Sequence, residues 1–134
     1  MYSLAVSSHM MIAHSFVGEI FGLAQQMHGA TYTVEMEVRR EQLDGAGLVC
    51  DIGLARALLE EIIGGFNYRN LDELKEFRGR NTTTEFLAAE LFRRLKTRIA
   101  SGALGPDTAG GLASLRVSLR ESPVAWAAFE GKLA

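Results

Sequence analysis

Two long runs of alternating apolar and polar residues, near the start of the chain, constrain the fold most. In residues 2–14, one face of the predicted strand carries Leu4, Val6, Met10, Ile12 and His14. In residues 30–40, one face of the predicted strand carries Tyr32, Val34, Met36 and Val38. Because successive side chains of a strand point to opposite faces, each run predicts a long strand with one buried face.

Helical spacing replaces alternation after the turn-forming residues 44–47. The apolar residues of the first predicted helix are Leu54, Leu58, Leu59, Ile62 and Ile63, and Gly64 and Gly65 follow them. A second helix is predicted from about Thr83, with Thr82 and Glu85 forming a Thr-x-x-Glu capping box. Gly102 fits the C-terminal cap of this helix.

Alternation returns near the end of the chain. Leu115, Val117 and Leu119 predict a third strand, and residues 124–128 suggest a short fourth. The predicted order is ββααββ, an α+β fold in which an antiparallel four-stranded sheet carries two helices on one face. The chain's 134 residues suit a single domain over residues 1–134.

Charge and cysteine content narrow the function classes. The 14 Lys and Arg residues nearly balance 16 Asp and Glu residues, so we expect neither nucleic acid nor an anionic membrane as a partner. Cys50 is the only cysteine, which fits a reducing compartment and a small buried side chain. Residues 1–17 lack the basic start of a secretory signal, so we expect a cytoplasmic protein.

Two histidines stand where the predicted first two strands meet. His14 ends the first strand and His28 precedes the second, a good start for a tetrahedral zinc site. A catalytic zinc usually takes three protein ligands, and the next position on the strand face of His28 is Ala30. His9 is an odd number of residues from His14 and points to the opposite face unless a bulge intervenes.

Short segments along the chain carry a wider pattern. Residues 28–32 read His-Gly-Ala-Thr-Tyr, 47–51 Gly-Leu-Val-Cys-Asp, 67–72 Asn-Tyr-Arg-Asn-Leu-Asp, 82–85 Thr-Thr-Thr-Glu and 121–123 Glu-Ser-Pro. In this order and spacing they resemble the 6-pyruvoyl tetrahydropterin synthase and 6-carboxytetrahydropterin synthase family. Its corresponding segments are His-Gly-His-x-Tyr, Gly-Met-Val-x-Asp, Asp-His-x-x-Leu-Asn, Pro-Thr-x-Glu and Glu-Thr-Pro. The resemblance implies the tunnelling fold (T-fold), a homo-oligomer of trimers stacked into hexamers, and a pterin-like ligand.

The zinc site and the acid-base groups that the resemblance implies are only partly present. Family members hold zinc with three histidines, of which His14 and His28 match two and Ala30 replaces the third. Zinc is therefore possible but weakened.

A proton-transferring cysteine lies four residues before the family's His-Gly-His, where this chain has Ala24. The family's catalytic Asp-His pair corresponds to Asn67 and Tyr68. Neither Ala nor Asn titrates, and Tyr has an ordinary pKa of about 10, so standard synthase activity should be weak or absent. Glu19 is a candidate replacement base, although it lies nine residues before His28, and the alternative is a solvated loop carboxylate.

The ligand-recognition end matches the family better. Glu121 corresponds to the glutamate that anchors the pterin, whose two oxygens can accept paired N–H donors from a 2-amino-4-oxo heterocycle. Thr83 and Thr84 correspond to the threonines that contact the same ring. The alternative is an exposed glutamate at a strand end and two threonines that only open a helix.

The resemblance and these departures from it together imply a cytoplasmic, homo-oligomeric pterin-binding enzyme with altered lyase-type chemistry. One alternative is a non-catalytic pterin-binding or scaffold protein on the same fold. Another is conventional synthase activity, with the zinc shell completed by water or by a neighbouring side chain.

Overall fold

The computed structural model describes residues 1–133 and shows one sheet packed against two helices. The sheet's strands are β1 (Tyr2–His14), β2 (His28–Arg40), β3 (Arg69–Asn70), β4 (Ser114–Ser122) and β5 (Ala125–Lys132). Their order across the sheet is β3-β1-β2-β4-β5, and every pairing is antiparallel except the parallel pair β1 and β3. The helices are α1 (Ile52–Gly64) and α2 (Thr84–Ala100).

The core lies between the helices and one face of the sheet. Tyr32, Val34, Met36 and Val38 of β2 are all 0% exposed and belong to the same buried cluster as Leu59 of α1 and Leu91 of α2. The alternating runs therefore bury the face that the sequence predicts, and the α+β fold with both helices on one face is confirmed. His9 is exposed and His14 is buried, as their odd spacing predicts.

The number of strands differs from the prediction of four, because β3 adds a two-residue edge. Ile12 and Ala13 of β1 pair with Arg69 and Asn70 in a parallel arrangement. Two residues are too few for any alternation to appear in the sequence. Strand β2 also begins at His28 rather than at residue 30, and β5 is longer than the predicted short strand.

The start of α2 differs from the predicted capping box. Thr83, not Thr82, is the N-cap, and its Oγ1 accepts a hydrogen bond of 3.1 Å from the backbone N–H of Phe86. Thr82 is 1% exposed, and its hydroxyl does not cap the helix. At the other end, Gly102 has φ +94° and its N–H bonds to the carbonyl of Ile99, which confirms the predicted glycine cap.

The first turn of α1 buries a different residue from the predicted one, whereas Leu58, Leu59 and Ile63 are buried as predicted. Asp51 caps the helix by accepting a hydrogen bond of 2.8 Å from the backbone N–H of Leu54. Leu54 is 44% exposed, and Ala55 is buried in its place.

Cys50 is buried just before the N-cap of α1, as predicted, and burial raises the pKa of its thiol. Within residues 1–133, no helix combines the length and the apolarity needed to cross a membrane.

Candidate functional site

The two histidines lie directly opposite each other where β1 ends and β2 begins. The antiparallel register pairs His14 with His28, and their ring centroids are 4.5 Å apart. His14 is only 2% exposed, whereas His28 is partly exposed. The sheet register alone therefore brings together the two side chains that the sequence predicts as a pair.

Each histidine has an oxygen partner at Nδ1. The Nδ1–H of His28 donates to the backbone carbonyl of Gln26 at 2.9 Å, so Nε2 is the ring nitrogen that remains for another partner. Nδ1 of His14 lies 3.0 Å from Oγ1 of the buried Thr82. Both rings are thus held at Nδ1, the arrangement by which proteins orient imidazole ligands and hydrogen-bonding groups.

Burial and the neighbouring His28 lower the pKa of His14 below its usual value of 6.5. The nearby carboxylates of Asp72 and Glu121 and a hydrogen bond at Thr82 act in the opposite direction but are smaller effects. His14 is therefore neutral near pH 7, and its ring offers hydrogen-bonding or ligating nitrogens rather than a positive charge.

Two phenylalanine rings, Phe16 and Phe21, pack beside the histidine pair. The ring of Phe16 lies 4.6 Å from the His14 ring and 4.9 Å from the Phe21 ring, measured between centroids. These rings line a cleft of about 560 Å³ together with Ala24 and Ala30. Phe16 and Ala24 both lie in the connection between β1 and β2. The backbone N–H of Phe16 donates to the carbonyl of Ala24 at 3.1 Å, which holds the two residues close together.

A chain of hydroxyls supports Glu121 at the other end of the same cleft. The Thr84 hydroxyl donates to Oε1 of Glu121 at 2.9 Å. Since Thr84 has one hydroxyl hydrogen, Tyr32, whose Oη is 3.5 Å from Oγ1 of Thr84, is the donor to it. Burial raises the pKa of Tyr32, which favours its role as a donor.

A local irregularity of the sheet accompanies Glu121. The β4–β5 register shifts between Arg120 and Ser122, so Glu121 has no partner directly opposite on β5. Such an irregularity commonly redirects a side chain at a sheet edge. Thr83 lines the cleft as well, but its hydroxyl is engaged as the N-cap of α2.

Asn67 and Tyr68, which the resemblance aligns with the family's catalytic pair, lie outside this cleft. Oδ1 of Asn67 accepts a hydrogen bond of 2.9 Å from the backbone N–H of Met11, and the N–H of Tyr68 donates to the Met11 carbonyl at 2.7 Å. Tyr68 has φ +60° and is 79% exposed. In a single chain both residues therefore complete the edge of β1, and neither lines the cleft.

Of the remaining predicted positions, Ala30 lines the cleft and Glu19 does not. Glu19 is exposed at the start of a 3₁₀ segment, Glu19–Gln25, and does not line the cleft. Ala30 lies opposite Ile12 in the β1–β2 register and packs against the core. No sequence argument singled out Thr82 as a partner of His14, although a threonine where the family pattern has proline was a visible signal.

The donor set of one chain does not fit a three-ligand zinc ion. His14 and His28 can each offer a ring nitrogen, but across residues 1–133 no three His, Cys, Asp or Glu side chains lie close enough to hold a metal. The methyl group of Ala30 stands where the resemblance expects the third imidazole. Two imidazoles alone leave at least half of a tetrahedral shell to other groups.

Comparison with known sequences identifies the family. The sequence model described as 6-pyruvoyl tetrahydropterin synthase matches residues 3–132. This chain belongs to the 6-pyruvoyl tetrahydropterin synthase family. One curated relative is the 6-carboxy-5,6,7,8-tetrahydropterin synthase of Bacillus subtilis, 23% identical over 135 residues that cover 98% of this chain and 86% of the relative.

Solved structures of the family share the fold. The 6-pyruvoyl tetrahydropterin synthase of Caenorhabditis elegans superposes with a TM-score of 0.80 at 20% identity, covering 98% of this chain and 96% of that chain. The Plasmodium vivax 6-pyruvoyl tetrahydropterin synthase gives 0.77 at 16% identity, covering 98% of each chain. These matches confirm the T-fold that the resemblance implied for this chain.

Proposed function

We propose that this protein is a pterin-binding enzyme of its family that carries out altered lyase-type chemistry. The observation that supports it most is the composition of one cleft. Glu121, held by Thr84, shares that cleft with His14 and His28, whereas Ala24 and Ala30 stand at the family's base and third-ligand positions. The recognition end is retained and the reactive end is changed.

Glu121 anchors the heterocycle in this proposal. One lone pair of Oε1 is taken by the Thr84 hydroxyl, which leaves Oε2 and the remaining lone pair of Oε1 as acceptors. A 2-amino-4-oxo ring presents two parallel N–H donors to such a carboxylate. Because the hydroxyl chain from Tyr32 fixes the carboxylate before binding, less side-chain entropy is lost when the ligand arrives.

The altered chemistry follows from which groups can move a proton. The titratable side chains that line the cleft are His14, His28, Glu85 and Glu121. With no cysteine at position 24 and no imidazole at position 30, any proton transfer must use this smaller set. We propose that zinc, if bound by His14 and His28, is held weakly, and we assign it no step.

A non-catalytic pterin-binding or scaffold protein is the second candidate. It is favoured by the positions of Asn67 and Tyr68, which contact the β1 backbone rather than the cleft. Glu19, the candidate replacement base, is likewise exposed outside the cleft lining. The enzyme and the pterin-binding protein share the ligand and differ in turnover, whereas a scaffold protein needs no ligand.

Self-assembly completes the proposal, as a homo-oligomer of trimer or hexamer size in the cytoplasm. The connection between β1 and β2 exposes large apolar side chains: Val17 is 86%, Ile20 90% and Leu23 88% exposed. Adjacent exposed apolar side chains of this kind are typical of surfaces that bind another protein. Strand β5 also ends the sheet, and such edges pair readily with another subunit.

One experiment on purified protein separates the two functions. Calorimetric titration with pterin and neopterin measures binding, and absorbance spectroscopy with a panel of dihydropterins measures turnover. Binding with turnover supports the enzyme, and binding without turnover supports the second candidate. Failure to bind any pterin would leave the family and the fold intact, remove the enzyme and the pterin-binding protein, and leave only the scaffold protein.

A further inference from the structure

We infer that a second cleft, beside Arg40, is a binding site for a small oxyanion, a molecule that presents a carboxylate or phosphate group. Arg40 ends β2 and His28 begins it, so the two residues are about 40 Å apart along the strand. The site uses none of the residues proposed to bind a pterin.

Arg40 is a buried cation at the end of an apolar strand face. It follows Val38 on the face of β2 that packs against the helices, where the alternation would place another apolar residue. Among the Lys, Arg, Asp and Glu side chains of residues 1–133, only that of Arg40 is buried, at 9% exposure. A buried charge is normally paired with an opposite charge, because it has lost most of its contact with water.

Two backbone carbonyl groups hold the guanidinium in place. Its Nε–H donates to the carbonyl of Gln42 at 2.6 Å, and its Nη1–H donates to the carbonyl of Val49 at 3.0 Å. A Cβ at Gly111 would lie 2.1 Å from Nη2, so the absence of a side chain there makes room for the group. These contacts orient the guanidinium without neutralising it, because a carbonyl group has no net charge.

No carboxylate of residues 1–133 pairs with Arg40. The ion pairs in this part of the chain involve other arginines, and none brings an acidic oxygen within 4.0 Å of Arg40. Asp44 lies beyond that distance, and its Oδ1 accepts hydrogen bonds of 2.9 Å from the backbone N–H groups of Ala46 and Leu48. The positive charge of Arg40 is therefore left for a ligand to neutralise.

The cleft gives an anion access to this charge. It has a volume of about 360 Å³ and is lined by Arg40, Glu41, Gln42 and residues 110–113. Nη2 has no hydrogen-bond partner among the described residues, whereas every side-chain nitrogen or oxygen atom sealed from solvent in them has one. Nη2 is therefore reached from the cleft. A Cβ on Gly110 would meet no atom within 4 Å, which shows that the space beside it is open.

The chemistry of the guanidinium sets the class of ligand. Its planar N–H donors match the oxygen atoms of a carboxylate or a phosphate group, and such charge-assisted hydrogen bonds are strong. Glu41 is exposed and lines the same cleft, and its charge opposes an anion. We therefore expect modest affinity, with a dissociation constant on the order of 1 mM.

Saturation-transfer NMR with acetate tests the site on the wild-type protein, at constant ionic strength set with chloride. We expect saturable transfer to the acetate methyl group. Inorganic phosphate is then added as a competitor. Displacement of acetate assigns the site to oxyanions in general, and binding of acetate without displacement assigns it to carboxylates; both results support the site.

Variants at Gly110 and Arg40 locate the binding. Gly110→Glu puts a competing carboxylate beside the cleft and leaves Arg40 intact, so it should weaken acetate binding on the order of tenfold. Gly110→Gln has the same size without the charge and should weaken binding less. Arg40→Gln should abolish binding. Because it also removes the donors to Gln42 and Val49, the Gly110 pair provides the test if this variant does not fold.

Arg56→Gln is the matched control, since Arg56 is exposed on α1, and it should bind acetate as the wild type does. Unchanged acetate binding in Arg40→Gln or in Gly110→Glu overturns the site. Equal losses in Arg40→Gln and Arg56→Gln also overturn it, because they would indicate a response to net charge alone. A wild-type protein without saturable acetate binding overturns it as well. None of these results depends on whether the protein binds a pterin.

Discussion

Nδ1 of His14 lies 3.0 Å from Oγ1 of Thr82, and both side chains are almost completely buried. Thr82 occupies the position at which the family pattern has proline, a residue without a hydroxyl group. The contact joins the end of β1 to the residue just before α2, so the helical layer fixes the orientation of a ring in the cleft. Thr82 is therefore a positioning residue for His14.

Removing this hydroxyl should release the His14 ring. We expect Thr82→Val to lower the free energy of unfolding by about 1 to 3 kcal/mol, because a buried ring nitrogen loses its partner. We also expect it to change the ratio of the two His14 tautomers, which ¹⁵N NMR of the imidazole measures. Thr82→Ser keeps the hydroxyl and should retain the wild-type tautomer ratio. An unchanged ratio in Thr82→Val would show that the contact does not orient the ring.

Glu121→Gln should weaken pterin binding while the fold persists. The amide replaces one acceptor by a donor and sets N–H against N–H. Charge-assisted hydrogen bonds contribute roughly 1.5 to 3 kcal/mol each, so we expect a loss in affinity on the order of tenfold to a hundredfold. Calorimetric titration measures the loss, and an unchanged melting temperature is the control. Equal affinities would make Glu121 an ordinary surface residue.

Restoring an imidazole at position 30 should raise zinc occupancy. In Ala30→His the new side chain lies on the same strand face as His28. Position 30 pairs with Ile12, two residues along β1 from His14, so the new imidazole is a diagonal neighbour of His14. Elemental analysis after purification with zinc should show higher occupancy than in wild type, with Ala128→His as the control. A wild-type protein that keeps one zinc per chain through prolonged chelation would contradict the weakened site.

Acid should destabilise the metal-free protein through His14. Burial and His28 lower its pKa in the folded state, so below the usual value of 6.5 the unfolded chain binds a proton that the folded chain does not. Stability should therefore fall as the pH drops below about 6.5. Melting temperatures between pH 8 and pH 5 test this, and His14→Gln should show a shallower decline. Parallel declines in both proteins would assign the effect to other groups.

The assembly is tested by light scattering. We expect a mass that is a multiple of the monomer at micromolar concentration, because exposed apolar side chains and a free sheet edge favour association. Ile20→Asp together with Leu23→Asp should shift the equilibrium toward smaller species, whereas Glu19→Asp should not. A stable wild-type monomer would remove the proposed homo-oligomer.

Local patterns predicted most of the secondary structure because the buried face of each element repeats at a fixed period. The alternation through Tyr32 and Val38 located β2 within two residues of its start, and Gly102 located the end of α2. The errors fell where no period exists. The two-residue β3 is defined only by its pairing with β1, and the cap of α2 could begin at either of two adjacent threonines, Thr82 or Thr83.

The sequence by itself determined the family, the sheet face that carries His14 and His28, and the presence of alanine at positions 24 and 30. These properties depend on residue identity and on short spacings. Only the tertiary structure decided that Thr82 contacts His14, that Thr84 supports Glu121, and that Asn67 and Tyr68 lie at the edge of β1. Such contacts join residues far apart in the chain, and the packing of helices on the sheet sets their distances.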